Sequence, residues 1–149
     1  PIYVISADGA ALVHEGRSIP FGEYTVDNCR AALDEMTKPS QNVGCTPVLP
    51  QIAEYNALFL MPGGELVIDF KLTWQNAVPK SASAESLMIY GVVNTLTQAA
   101  LKKAIREQVK SVRFLFEGQA PTDLFPVHLD LSRPITPDPQ WIRKVEAAQ

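Results

Sequence analysis

The chain has 149 residues, 46% hydrophobic and 19% charged, which suits one globular domain and excludes a disordered or fibrous chain. A formal charge of −3, with an isoelectric point near 5.3, gives no broad attraction to phosphate backbones or anionic lipid, so nucleic acid is not expected as a partner. No apolar run approaches the roughly 18 to 20 residues that a membrane-spanning helix requires.

Ile2 to Ile5 is a β-branched and aromatic run, Ala7-Asp8-Gly9-Ala10 supplies turn chemistry, and Ala11 to His14 is a second short apolar stretch. Together they predict an opening hairpin. Thr25 or Asp27 is placed to cap a helix over roughly residues 27 to 38, with Val26, Cys29, Leu33 and Met36 at helical spacing and Pro39 stopping it. From Pro39 to Pro50, the residues Ser40, Asn42, Gly44, Pro47 and Pro50 oppose regular structure and predict a long loop.

Asn56 to Met61 and Glu65 to Phe70 flank Pro62-Gly63-Gly64, which predicts a central hairpin with Leu66, Ile68 and Phe70 on one face and Val67 and Asp69 on the other. Ser81 or Ser83 is a natural N-cap, and Glu85 places negative charge in the first turn of a helix running toward Gln98. Ile89, Val92, Val93, Leu96 and Ala100 follow the i, i+3, i+4, i+7 pattern, and Leu87, Met88 and Tyr90 widen the apolar face. Such a helix is buried on more than one side. Gly91 within it costs about 1 kcal/mol relative to Ala, which argues for close approach of a strand or helix.

Ala99 to Gln108 sets Leu101, Ala104 and Ile105 against Lys102, Lys103, Arg106 and Glu107, predicting that the helix continues or restarts. Ser111 to Glu117 alternates, with Val112, Phe114 and Phe116 on one face, and reads as a strand closed by Gly118. Val127 to Leu131 suggests an edge strand, and Pro134, Pro137 and Pro139 an extended connector before a short helix from Trp141 to Ala148. Trp141 is either a docking residue or, as is commoner for Trp, a cover for the domain's own sheet.

The histidines are His14 and His128, neither in a zinc spacing, and no nucleophile elbow, phosphate loop or dinucleotide fingerprint occurs. No catalytic, cofactor or metal residue is assigned. Cys29 with His14 or His128 lacks a third orienting residue, and a helix-face cysteine is usually a small buried hydrophobe. Asp69 with Glu65, or Asp8 with Glu15, mimics a carboxylate pair, although charges at strand ends are mostly solvated. Lys102, Lys103, Arg106 and Lys110 form a basic cluster that reads as a solvated helix face or as a site for an acidic partner. A Cys29–Cys45 bridge would close a loop of about 17 residues and add about 3 kcal/mol, with two free thiols as the alternative.

The order of strand, Gly-Gly turn, Leu66-Val67-Ile68-Asp69-Phe70, a Ser/Ala/Glu-led helix through Asn94-Thr95-Leu96-Thr97-Gln98, then Val109 to Gly118 resembles the GerM domain of bacterial sporulation and germination proteins and envelope lipoproteins. Ile2 to Gly9, followed by Leu12-Val13-His14-Glu15 and Ile19-Pro20, resembles that domain's start. The resemblance covers about residues 2 to 120, residues 99 to 108 being extra to the family's short turn. It implies an α+β fold like ring-building motifs, with helices on one face of a small mixed or antiparallel sheet in the order β-β-α-β-β-α-(α)-β-(β). Residues 121–149 are then a C-terminal extension packed on the domain at 1–120. The resemblance also implies a non-enzymatic interaction or assembly module outside the cytoplasmic membrane. Its partner would be an envelope protein or a second copy, contacted through strand edges and the Pro39–Pro50 loop. Because the chain begins with Pro1, any membrane attachment is expected from a segment upstream. The alternative is a small-ligand or cell-wall-fragment binding domain that uses Tyr55, Trp74 and Tyr90 as stacking surfaces.

Overall fold

The computed structural model describes residues 1–74, 77, 81–119 and 129–143. In chain order these form β1 (Ile2–Ile5), β2 (Leu12–Glu15), α1 (Thr25–Glu35), β3 (Thr46–Pro47), β4 (Tyr55–Met61), β5 (Glu65–Phe70), α2 (Ala82–Leu96) and β6 (Ser111–Phe116), with short 3-10 turns at Ala99–Leu101 and Pro139–Trp141. The α+β class holds, and the expected order holds apart from an added strand, β3, and a 3-10 turn where the sequence allows for a further helix. The strands are shared between two three-stranded sheets, β2-β1-β3 and β4-β5-β6.

The opening hairpin forms around a self-satisfying turn. Ser6 Oγ and the Ala10 N–H both donate to Asp8 Oδ1, at 2.6 and 3.1 Å, and Gly9 takes φ +72°. β3 pairs with the other side of β1, Thr46 opposite Ile5 and Pro47 opposite Val4. This places a two-residue strand inside the stretch that its turn residues mark as loop throughout. Pro47 is tolerated there because an edge strand leaves one row of N–H groups unused.

β4 and β5 pair antiparallel from Tyr55 opposite Phe70 to Met61 opposite Glu65, with an irregularity between Tyr55 and Ala57. β6 lies parallel to β5, Glu65 beside Ser111 through Phe70 beside Phe116, so α2 is the crossover that a parallel pair requires. Leu66, Ile68 and Phe70 turn inward with Val112, Phe114 and Phe116, and Phe70 stacks on both Phe114 and Phe116 at centroid distances of 6.1 and 5.9 Å. Ser81 caps α2, its Oγ accepting from the Ala84 N–H at 3.1 Å. The helix is buried nearly all round because it contacts both sheets, and the Tyr3 N–H donates to Thr95 Oγ1 at 3.1 Å, tying β1 to it. One apolar core runs through residues of both sheets and both helices.

Other expectations are corrected. α1 begins at Thr25, and neither Thr25 nor Asp27 caps it: Tyr24 holds the cap position without a side-chain bond. A distant carbonyl does that work, since the Thr25 N–H donates to Ile105 O at 3.1 Å and Thr25 Oγ1 reaches the carbonyls of Ile105 and Arg106. Ala99 to Gln108 does not extend the helix. After the turn at Ala99–Leu101 the chain is extended at Lys102, Ile105 bridges Tyr24 in parallel, and Arg106 takes φ +79°. Its apolar residues are spent on this long-range pairing and not on a helical stripe.

Residues 127 and 128 of the anticipated edge strand lie outside the described residues, and 129–131 join no strand. Ile135 occupies the outer side of β6 instead, exchanging hydrogen bonds of 2.9 and 2.8 Å with Val112. Beyond Pro139–Trp141, the anticipated terminal helix lies mostly outside the described residues. Cys29 and Cys45 are free thiols.

Candidate functional site

The loop between α1 and β4 is fixed by charge at one end and by packing at the other. Glu15 ends β2 almost fully buried, and its Oε1 accepts from Ser40 Oγ, the Gln41 N–H (3.0 Å) and the Asn42 N–H (3.3 Å). Its Oε2 accepts from Arg17, with Nε at 2.6 Å and Nη2 also in contact. Arg17 reaches on to Glu35 Oε1 at 3.3 Å and Pro39 O at 2.7 Å, joining β2, the end of α1 and the loop. Burial alone pushes the Glu15 carboxyl up. The hydrogen bonds from Ser40, Arg17 and Gln41 and the Arg17 charge overcome this and leave it below its ordinary value.

At the far end, Val48 sits against Gly91 of α2. A Cβ on Gly91 would come within 2.5 and 2.7 Å of the two Val48 methyl carbons. The close approach that Gly91 permits is therefore that of a loop side chain and not of a strand or helix. Between these anchors, Gly44 takes φ +80° over Ala7, and Val43 at the tip is 100% exposed. Behind the loop, Ile5, Thr46 to Pro50, Ser81, Ser83, Leu87 and Met88 line a mostly apolar cleft of about 440 Å³.

The aromatics of the ligand-binding alternative are not brought together. Trp74 is 1% exposed, packs edge-on to Phe70 at 5.3 Å and donates to Glu54 O at 3.1 Å. Tyr55 donates to Asp34 at 3.0 Å beside a separate cleft of about 310 Å³ with Leu33 and Thr37. Tyr90 stacks on Trp141 at 5.9 Å, so this tryptophan covers the domain itself.

Cys29 is fully buried and its thiol is pushed up to about 12 by burial, the reverse of what a nucleophile needs. His14 lies 2.9 Å from Tyr3 Oη, and His128 lies outside the described residues. Asp8 is held by Ser6 and Arg143 (2.7 Å), away from the Glu15 network. Asp69 accepts from the Gly118 N–H at 2.7 Å, and Glu65 from Arg113 at 2.7 Å. The basic cluster is not a helix face. Lys103 lies over the Phe21 ring at 4.9 Å, and Arg106 Nη2 donates to Leu60 O at 2.6 Å.

Sequence reasoning weighs Glu15 only beside Asp8 and misses Arg17. Opposite charges two residues apart at a strand end are the available signal, because such residues share a face. Among the described residues no group of three or more His, Cys, Asp or Glu is arranged to hold a metal ion, and no helix is long and apolar enough to cross a membrane.

An α+β domain with a crossover helix shared by two small sheets and a fixed loop defines the class. The profile of the Germane family, sporulation and spore germination, matches residues 1–122, and the chain belongs to that family. Among solved structures, the fold is similar to the tandem GerMN domains of the sporulation protein GerM from Bacillus subtilis, with a TM-score of 0.65 and 21% identity over 92% of this chain and 44% of that one. The first GerMN domain of the same protein gives a TM-score of 0.64 and 21% identity over 92% of each chain. A putative lipoprotein from Clostridium perfringens gives 0.59 and 18% identity, over 75% of this chain and 68% of that one. The chain thus spans under half the length of the tandem-domain structure and most of the single-domain one. A search of curated protein sequences finds no significant match.

Proposed function

We propose that this domain is a non-enzymatic protein–protein interaction or assembly module of the bacterial cell envelope, acting outside the cytoplasmic membrane. The observation that carries the reading is the loop anchored by Glu15 and Val48, which presents a fully exposed apolar side chain at Val43. A contact loop whose backbone is already fixed loses less conformational entropy on binding. Membership of a sporulation and germination family supports the reading, and so does the likeness to a putative lipoprotein.

The test is affinity capture from solubilised envelope fractions with the wild-type domain, Val43→Asp and Glu15→Gln. A protein retained by the wild type and lost with both variants supports the assembly role. Retention unchanged by both overturns the loop as the contact surface.

The cleft behind the loop favours a second reading, a domain that binds a small ligand or cell-wall fragment, since its volume falls in the range of small-molecule sites. A thermal-shift panel of muropeptides, glycans and peptides distinguishes this reading, because a specific ligand raises the midpoint with concentration.

A further inference from the structure

We propose that β4 is a self-association edge, at which the β4 strands of two copies pair antiparallel about a two-fold axis through Phe59. The inference rests on the reading of the domain as an assembly module and names a second copy of the chain as the partner. Two sheets present four edges. On the β2 edge, Ile142 bridges Leu12 and the Arg143 N–H donates to Leu12 O at 2.8 Å. On the β6 edge, Ile135 pairs with Val112 and Gln119 with Phe116. β3 is two residues long and contains Pro47. Among the described residues, the seven-residue β4 is the long edge that remains.

Natural sheets guard such an edge with lysine, proline or inward charge. β4 runs Tyr55-Asn56-Ala57-Leu58-Phe59-Leu60-Met61 and has none of these. The Arg106 guanidinium lies on it at Leu60 O, 2.6 Å away, reaching from a backbone at φ +79°. A residue with a long side chain adopts that φ only where its surroundings impose it. Arg106 thus acts as a removable guard.

The same contact fixes the geometry of pairing. Leu60 O is open to Arg106 and so points away from β5, which makes Leu58 and Leu60 the residues whose backbone groups face outward along the alternating ladder. Centred on Phe59, the pairing sets Leu58 opposite Leu60 of the second copy as the hydrogen-bonded positions. Phe59 then faces its own counterpart as a close non-hydrogen-bonded pair, and Ala57 faces Met61. The paired stretch 57–61 avoids the irregularity at Tyr55/Ala57.

Phe59 and Met61, 45% and 42% exposed, then cover one another on the outer face. The flanking carboxylates do not oppose the contact, because Glu54 is matched by Lys71 at 3.0 Å and Glu65 by Arg113 at 2.7 Å. An uncharged, self-complementary strand is the route by which two copies of net charge −3 can meet without repulsion, and a two-fold axis needs no second surface.

Light scattering across a concentration series tests this with the wild type, Arg106→Gly, Phe59→Lys and a Cys45→Ser/Phe59→Cys chain. Arg106→Gly removes the guard while suiting the backbone, and is expected to tighten self-association at least tenfold. Phe59→Lys is expected to abolish it. The cysteine chain is expected to form a disulfide-linked dimer on oxidation, whereas Cys45→Ser/Val43→Cys is not. A strict monomer for both the wild type and Arg106→Gly, or a dimer indifferent to Phe59→Lys, overturns the proposal. Phe59→Lys and the cysteine chain keep it falsifiable even if Arg106→Gly fails to fold. Capture of an envelope protein through Val43, together with a strict monomer for the wild type and Arg106→Gly, would leave the assembly reading standing and remove only the β4 edge.

Discussion

Cys29, Glu15 and Gly91 each show a residue type put to a use that its neighbours decide. Burial raises the Cys29 thiol to about 12, so thiolate chemistry there requires opening of the core, whereas Cys45 is partly exposed. Iodoacetamide labelling of the native protein should modify Cys45 readily, and Cys29 only as denaturant unfolds the chain; rapid double labelling would contradict the buried placement. Glu15 is a carboxyl held below its ordinary value, so its contribution is complete above the unfolded value of about 4.3 and is lost as pH falls through the lower folded value. Stability of the wild type should therefore fall below about pH 4 more steeply than that of Glu15→Gln, as read by denaturant melts at stepped pH. Gly91→Ala would gain about 1 kcal/mol from helix propensity alone. Contact with the stiff Val48 side chain reverses the sign, and a loss of about 1–3 kcal/mol is expected in urea unfolding.

At the scale of elements, what the sequence makes legible is what depends on near neighbours. The Gly-Gly hairpin, the Ser81 cap, the wide apolar face of α2 and the alternation of Ser111 to Phe116 are all set by spacing within a few residues, and all form as read. Residues 99 to 108 satisfy a helical count equally well, yet their course is decided some 80 positions away by Tyr24 and Thr25. The division of strands between two sheets is hidden for the same reason, since β3 joins β1 only through a pairing more than 40 residues apart. The fixed loop was half legible: its turn residues announce it, but the buried carboxylate that holds it belongs to another element. Thr25 tests this coupling. Thr25→Val keeps the shape but leaves buried polar partners unpaired, and should cost about 1–3 kcal/mol while loosening residues 102–106, visible as faster amide exchange there.

For the whole molecule, residues 129–143 reach across both sheets. Ile135 lies along β6, Asn94 Nδ2 donates to Asp138 O at 3.1 Å while the Asp138 N–H returns 3.0 Å to Asn94 Oδ1, Trp141 stacks on Tyr90, and Ile142 lies along β2. A chain ended at residue 122, where the family match stops, would uncover the β2 edge and the Val112 end of the β6 edge together. Its melting midpoint should drop and its aggregation on heating should rise relative to the full chain; an unchanged melt would show that these contacts contribute little.

The Arg143 to Asp8 ion pair joins positions 135 residues apart, tying the turn of the first hairpin to the last of the described residues. The opening hairpin of the domain therefore waits for residues 142 and 143 before its outer strand is covered. Such long closure slows folding, and it leaves β2 open as an edge in any intermediate that forms before residues 142 and 143 dock.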